Sequence, residues 1–316
     1  MRPTYQRGLS LVELLIAMTL SLLLMAGVLQ VFLASKNTYL TNMTLAELQE
    51  NGRFALDAIA QDLRNAGFKG ACLAGMGNGT GSDSDLYSLE KAGVDGAEKK
   101  MNAAWAPAGR IAGTGALLVR YSTDVGLTAQ VIAGDTVTLA KGSAIPGARY
   151  VLSDQRFCRI VKNASEDARK ITADISLDHF LETVTEAYPY RYAIYWIGTG
   201  TDGSPALFIT DNSNKGTQQT NELVSGVANM SLRFGVRAED SDAVGQYKVA
   251  GDMSPDDWPN VLAVQISLLL QSSSPNAVDT PMSVVFDGTQ VPDPKAPDHR
   301  MRLVVGSTVA TRNYLP

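Results

Sequence analysis

Seven residues near the start of the chain, Arg7-Gly8-Leu9-Ser10-Leu11-Val12-Glu13, set a basic charge, a small residue and a carboxylate just ahead of an apolar run. No charge follows Glu13 until Lys36. The roughly 22 residues 14–35 form a helix about 33 Å long, enough to cross the hydrocarbon of a bilayer. An ionisable group on such a helix costs a few kcal/mol or more unless it is paired or at the interface, so Glu13 needs a partner. A secretory cleavage site would follow the apolar run. Here the small residue, Gly8, precedes it, and Ala26-Gly27 is a poor match to such a site.

Other reactive side chains are sparse. Cys72 and Cys158 are the two cysteines. In an exported chain an even pair points to a disulfide, the alternative being two separate buried thiols. A bridge would close a loop of about 85 residues and stabilise by at most ~4.5 kcal/mol in the chain-entropy model. No metal and no cofactor is expected, because two cysteines and two distant histidines, His179 and His299, offer no ligand spacing. Gly198-Thr199-Gly200-Thr201-Asp202-Gly203 satisfies a dinucleotide-binding pattern. That pattern needs a helix next, and Ser204-Pro205-Ala206-Leu207-Phe208-Ile209 reads as a strand, so a hairpin loop is expected. Asp211, Ser213, Gly216 and Glu222 fall at EF-hand spacing, but Lys215 would put an ammonium at a ligand position. Asp83, Asp85, Asp252, Asp256 and Asp257 read as solvated loop acids. Neither G-x-S-x-G nor H-E-x-x-H occurs, and no enzyme is expected.

The elements that position these residues follow from periodicity. No proline occurs between Pro3 and Pro107. Beyond Lys36, Leu45, Leu48, Ala55, Ile59, Leu63 and Ala66 recur mostly at three- and four-residue steps, with charges on the other faces. This predicts an amphipathic helix continuing the apolar one, stopping at Asn65-Ala66-Gly67, with Gly67 as a left-handed cap. The whole would run about 58 residues, roughly 87 Å. Gly27 and Gly52 are its weak points, at up to ~1 kcal/mol each. Residues 70–114 read as loop. Strands are predicted at 117–121, 129–132, 136–140, 149–152, 157–161, 192–197, 207–210, 230–236, 261–270 and 302–313, with polar loops at 238–257 and 287–299. One long helix followed by many strands implies an α+β fold, the helix packed on an antiparallel β-sheet body. Hydrophobic residues at 45% are sufficient for a substantial core. A net charge of −5 leaves no electrostatic footprint for nucleic acid.

The junction at Gly8 resembles a class III prepilin signal: a short basic leader ending in Gly, then an apolar helix with Glu at the fifth mature position. Leu9 stands where that group usually has Phe. The resemblance implies cleavage after Gly8 by a prepilin peptidase, N-methylation of Leu9, and a Glu13 that offsets the amine of a neighbouring subunit during filament packing. Gln49-Glu50-Asn51-Gly52-Arg53-Phe54-Ala55-Leu56 and Asp62-Leu63-Arg64-Asn65-Ala66-Gly67-Phe68 look like the helix of PilW-type minor pilins. Trp258-Pro259-Asn260-Val261 and the closing stretch from Arg300 to Asn313 are also similar to that group. The implied organisation is a leader at 1–8, a transmembrane and filament-core helix at 9–35 and its amphipathic continuation at 36–67. A loop region at 68–114 and a β-rich domain at 115–316 complete it.

The implied function is a minor pilin in a tip complex that primes type IV pili and supports twitching motility and adhesion. Its implied partners are other minor pilins, the major pilin, prepilin peptidase, a tip adhesin and the inner membrane. The C-terminal domain is expected in the periplasm and then on the pilus. Two other readings are a minor pseudopilin of a type II secretion system and a membrane-tethered periplasmic binding protein. An ordinary signal anchor explains neither Glu13 nor the Gly8 junction, though Arg2 and Arg7 give it the same topology.

Overall fold

A computed structural model describes residues 10–72, 85–87, 89, 93–98, 103–154, 156–214 and 216–311. Its first element is α1 (Leu11–Asn65), an unbroken helix of 55 residues, about 82 Å long at the α-helical rise. Ser10 is its N-cap, and Gly67 adopts φ 76° just past its end, as the sequence predicts. The helix divides sharply by burial. No residue from Ser10 to Leu40 is even partly buried, whereas Leu48, Gly52, Ala55, Ile59, Ala60 and Leu63 are buried.

Sixteen strands follow among the described residues. The first eight are β1 (Val94–Ala97), β2 (Ala116–Ser122), β3 (Leu127–Ala133), β4 (Thr136–Leu139), β5 (Arg149–Ser153), β6 (Cys158–Lys162), β7 (Lys170–Thr172) and β8 (Glu186–Thr199). The rest are β9 (Pro205–Asn214), β10 (Thr217–Ser225), β11 (Val227–Arg237), β12 (Val244–Lys248), β13 (Val261–Gln271), β14 (Val284–Phe286), β15 (Thr289–Val291) and β16 (Arg302–Ala310). Every pairing of these strands is antiparallel.

The long strand β8 organises the larger sheet. Its second half lies between β2 and β9, extending outward to β1 and β10. Its first residues instead pair with β5 and β3, which lead to β6 and to β4–β7. A second sheet runs β12-β11-β13-β16, and β14–β15 form a separate hairpin. Strand alternation distributes the apolar residues between two cores. Leu117 and Val119 of β2 join Ala55, Ile59 and Leu63 of α1, Tyr195 of β8, and Leu232, Phe234, Ile266 and Leu268 of the second sheet. Ala116 and Leu118 point the other way, toward Trp196, Ile194, Leu89 and Trp105. A third cluster fills the β3–β7 region.

The structure corrects several sequence expectations. The 68–114 segment is not all loop: β1 adds to the sheet edge, and Leu89 and Trp105 cover its far face, Trp105 donating from Nε1 to Asp95 Oδ2 at 3.2 Å. The polar stretch 238–257 contains β12, and 287–299 contains β15. β7, β10 and β14 were also outside the predicted set, and the last strand stops at Ala310 rather than 313. Gly52 has a packing role besides its cost in helix propensity. A Cβ there would lie 2.9 Å from Val305 Cγ2 and 3.2 Å from Leu270 Cδ1, so its bareness lets the second sheet close on the helix.

Candidate assembly interface

The helix start carries the first part of the site. Gly8 and Leu9 lie outside the described residues. Ser10 and Glu13 form a capping box, the S-x-x-E pattern that satisfies helix N–H groups left without intrahelical acceptors. Val12 N–H donates to Ser10 Oγ at 3.3 Å, and Ser10 N–H donates to Glu13 Oε2 at 3.0 Å. The S-x-x-E spacing of Ser10 and Glu13 is the sequence signal for this cap, a role of Glu13 separate from any contact with a neighbour. Beyond it, Leu11, Leu14, Leu15, Leu22, Leu23, Val28 and Phe32 are all more than half exposed. A uniformly exposed apolar helix of this length is fit for lipid or for neighbouring helices, not for water.

The second part couples the helix to the body. Asp62, one turn before the helix end, accepts hydrogen bonds from Tyr121 on β2 and Tyr195 on β8, both at 2.8 Å. Burial raises the Asp62 pKa, against the lowering effect of the two tyrosine donors. Tyr121 and Tyr195 are pushed well above the ordinary phenol range by burial and by the neighbouring carboxylate. The chain leaving the helix is bound to β2 as well: Gly67 N–H donates to Arg120 O at 2.8 Å and Ser122 N–H to Phe68 O at 2.8 Å.

Cys72 and Cys158 form a disulfide with a Cα–Cα distance of 5.8 Å. It ties the helix exit to β6, next to the core of Tyr188, Tyr190 and Ile160. Helix, sheet and crosslink therefore form one mechanical unit.

The motifs set aside on sequence grounds fall in hairpins. Gly198–Gly203 closes the turn between β8 and β9, with Gly200 N–H donating to Ser204 O at 2.7 Å. Asp211 and Ser213 lie on β9, whereas Glu222 on β10 accepts from Thr201 N–H at 2.9 Å. Lys215 and Asp83 lie outside the described residues. Asp257 is held by Lys248 at 2.9 Å. Among the described residues, no three His, Cys, Asp or Glu side chains are grouped to hold a metal.

Two family models match the chain. The prokaryotic N-terminal methylation motif covers residues 3–29, and type IV pilus-assembly protein W covers residues 194–313. Neither a curated protein nor a solved structure matches it. The second match spans β9 to β16 together with the end of β8, so it includes the sheet that receives α1.

Proposed function

We infer, from two family matches that support a pilus-related minor pilin of the PilW type, that this subunit helps to initiate pilus assembly. In this reading a prepilin peptidase cuts after Gly8, Leu9 is methylated, and the exposed half of α1 moves from the inner membrane into the filament. The body stands in the periplasm during assembly and afterwards near the pilus tip, against other minor pilins and beneath an adhesin. Priming of filaments would then support twitching and adhesion. The observation that carries the reading is the division of one continuous helix into a wholly exposed apolar half and a half packed into a crosslinked body. The PilW match favours a pilus over a secretion pseudopilus.

Glu13 contributes a carboxylate oxygen to a neighbour's amine, and this charge-assisted bond offsets its burial among helices. The test is processing and assembly in cells that make pili. Gly8→Val should leave the protein at leader-bearing length and reduce filament number, and Glu13→Ala should process normally but incorporate poorly. Normal filament number with unprocessed Gly8→Val protein would refute the reading.

A further inference from the structure

We propose that the free edge of β16 receives an extended strand from a different exported subunit, running antiparallel to it. β16 pairs with β13 over nine residues without a register shift. Ser272 N–H donates to Met301 O and Thr311 N–H to Leu262 O, both at 2.9 Å, which sets the phase of this ladder. Odd-numbered residues 303–309 therefore bond inward. The N–H and C=O groups of Val304, Gly306, Thr308 and Ala310 point away from β13. All four residues are exposed. The β14–β15 hairpin approaches β16 without forming a ladder with it.

An open edge of this kind is normally blunted by charge, proline, a bulge or shortness. From Leu303 to Ala310 this strand carries no charge and no proline. Other edges among the described residues are protected. β10 has two register shifts and carries Glu222, β12 has a shift and the Lys248–Asp257 pair, and β1 and β7 have four and three residues. β6 presents Arg159 and Lys162. Of these edge strands β16 alone presents a long run free of charge, proline and register shift, and main-chain groups in this geometry are met by another strand.

The direction of β16 selects its occupant. Leu270 of β13 and Val305 of β16 meet Gly52 on α1. Ser274, Asn276, Ala277 and Asp279, which follow β13, line a cleft with Asn37, Leu40, Thr41 and Thr44, nearer the anchor. β13 therefore runs toward the anchor, and β16 runs away from it in the same sense as α1. Two copies joined antiparallel through β16 would point their anchor helices in opposite senses, which one membrane forbids. A strand descending toward the membrane from another subunit has no such conflict. This step rests on the anchored reading of α1.

The experiment uses the full chain in cells that assemble pili, with a benzophenone amino acid at Val304 or at Thr308. Both positions should crosslink to one extended segment of another exported subunit, with the two attachment sites in reversed order. Thr308→Pro removes an outward donor without touching the β13 ladder and should lower the Val304 crosslink by about tenfold or more. Thr308→Lys, which charges the edge, should do the same and serves where the proline variant fails to resist protease. Crosslinking to β16 of a second copy, no crosslink at either position, or undiminished yield in Thr308→Lys would overturn the proposal. Leader removal is read on the same gel, so failure of the strand contact is distinguishable from failure of the pilin reading.

Discussion

Removing the Asp62 carboxylate tests whether the helix is locked to the body. In Asp62→Ala, Tyr121 and Tyr195 lose an acceptor held at 2.8 Å. A buried hydroxyl left unsatisfied costs about 1–3 kcal/mol. Tyr195 can turn to Ala58 O at 3.2 Å, which softens its loss. Tyr121 is only partly buried and can recover part of its loss from water, so the total should be about 1–3 kcal/mol. Asp57, on an exposed face of the same helix, supplies the control in Asp57→Ala. Denaturant unfolding of the full chain in detergent, followed by near-ultraviolet circular dichroism, measures both. Agreement of the two variants within about 0.5 kcal/mol, the usual range for a surface change, would show that Asp62 does not lock the helix to the body. The pH dependence gives a second reading. Burial raises the Asp62 pKa, so the folded protein holds this proton more tightly than the unfolded chain does. The unfolded carboxyl titrates near about 3.9, and the associated stability is complete below that value. It is lost as pH rises through the folded pKa. Asp62→Asn removes the titration, so wild-type stability relative to Asp62→Asn should fall as pH rises above the unfolded value of about 4.

Three further outcomes follow from the packing. Gly52→Leu should lower stability by about 1–3 kcal/mol through overpacking against Val305 and Leu270, whereas Gly27→Leu, with nothing within 4 Å, should leave the unfolding midpoint of the body unchanged. Cys72→Ser combined with Cys158→Ser should cost up to ~4 kcal/mol, measured as a lower denaturant midpoint under oxidising conditions. Ser10→Ala should remove about 1 kcal/mol of helix capping yet keep filament incorporation, counted by immunogold labelling, above that of Glu13→Ala. Equal losses in the two variants would assign Glu13 to capping alone.

The helix and the strands with alternating apolar residues were legible because burial writes a period into sequence. Ile59 and Leu63 recur every turn, and Leu117 and Val119 every second residue, because each set faces one core. β10 and β12 left no such trace. Thr217-Gln218-Gln219-Thr220-Asn221 is polar and exposed at an edge, so its hydrogen bonds alone make it a strand. β1 was hidden by its setting, since Asp95 and Gly96 resemble turn residues while their neighbours Val94 and Ala97 are buried. Asp62 was equally opaque. On sequence it is one of several charges on an amphipathic helix, and its tyrosine partners lie 59 and 133 residues away. Cys72 and Cys158 are the only cysteines, so the choice of partner was legible, while the choice between a bridge and two separate thiols needed the fold, which brings their Cα atoms to 5.8 Å.

The capping box changes how Glu13 should be understood. A carboxylate has two oxygens, and the cap uses Oε2 alone, leaving a second acceptor for another donor. Cleavage after Gly8 would place a new ammonium on Leu9, one residue before the cap. That charge is unfavourable at the positive end of a helix, and a carboxylate in the first turn offsets it. The same side chain would therefore stabilise its own processed terminus and accept from a neighbour's amine in the filament. The two roles differ in range, since capping acts within one chain whether or not subunits meet. Ser10 takes part only in the cap, which makes the contrast between Ser10→Ala and Glu13→Ala a separation of the intramolecular part from the intermolecular one.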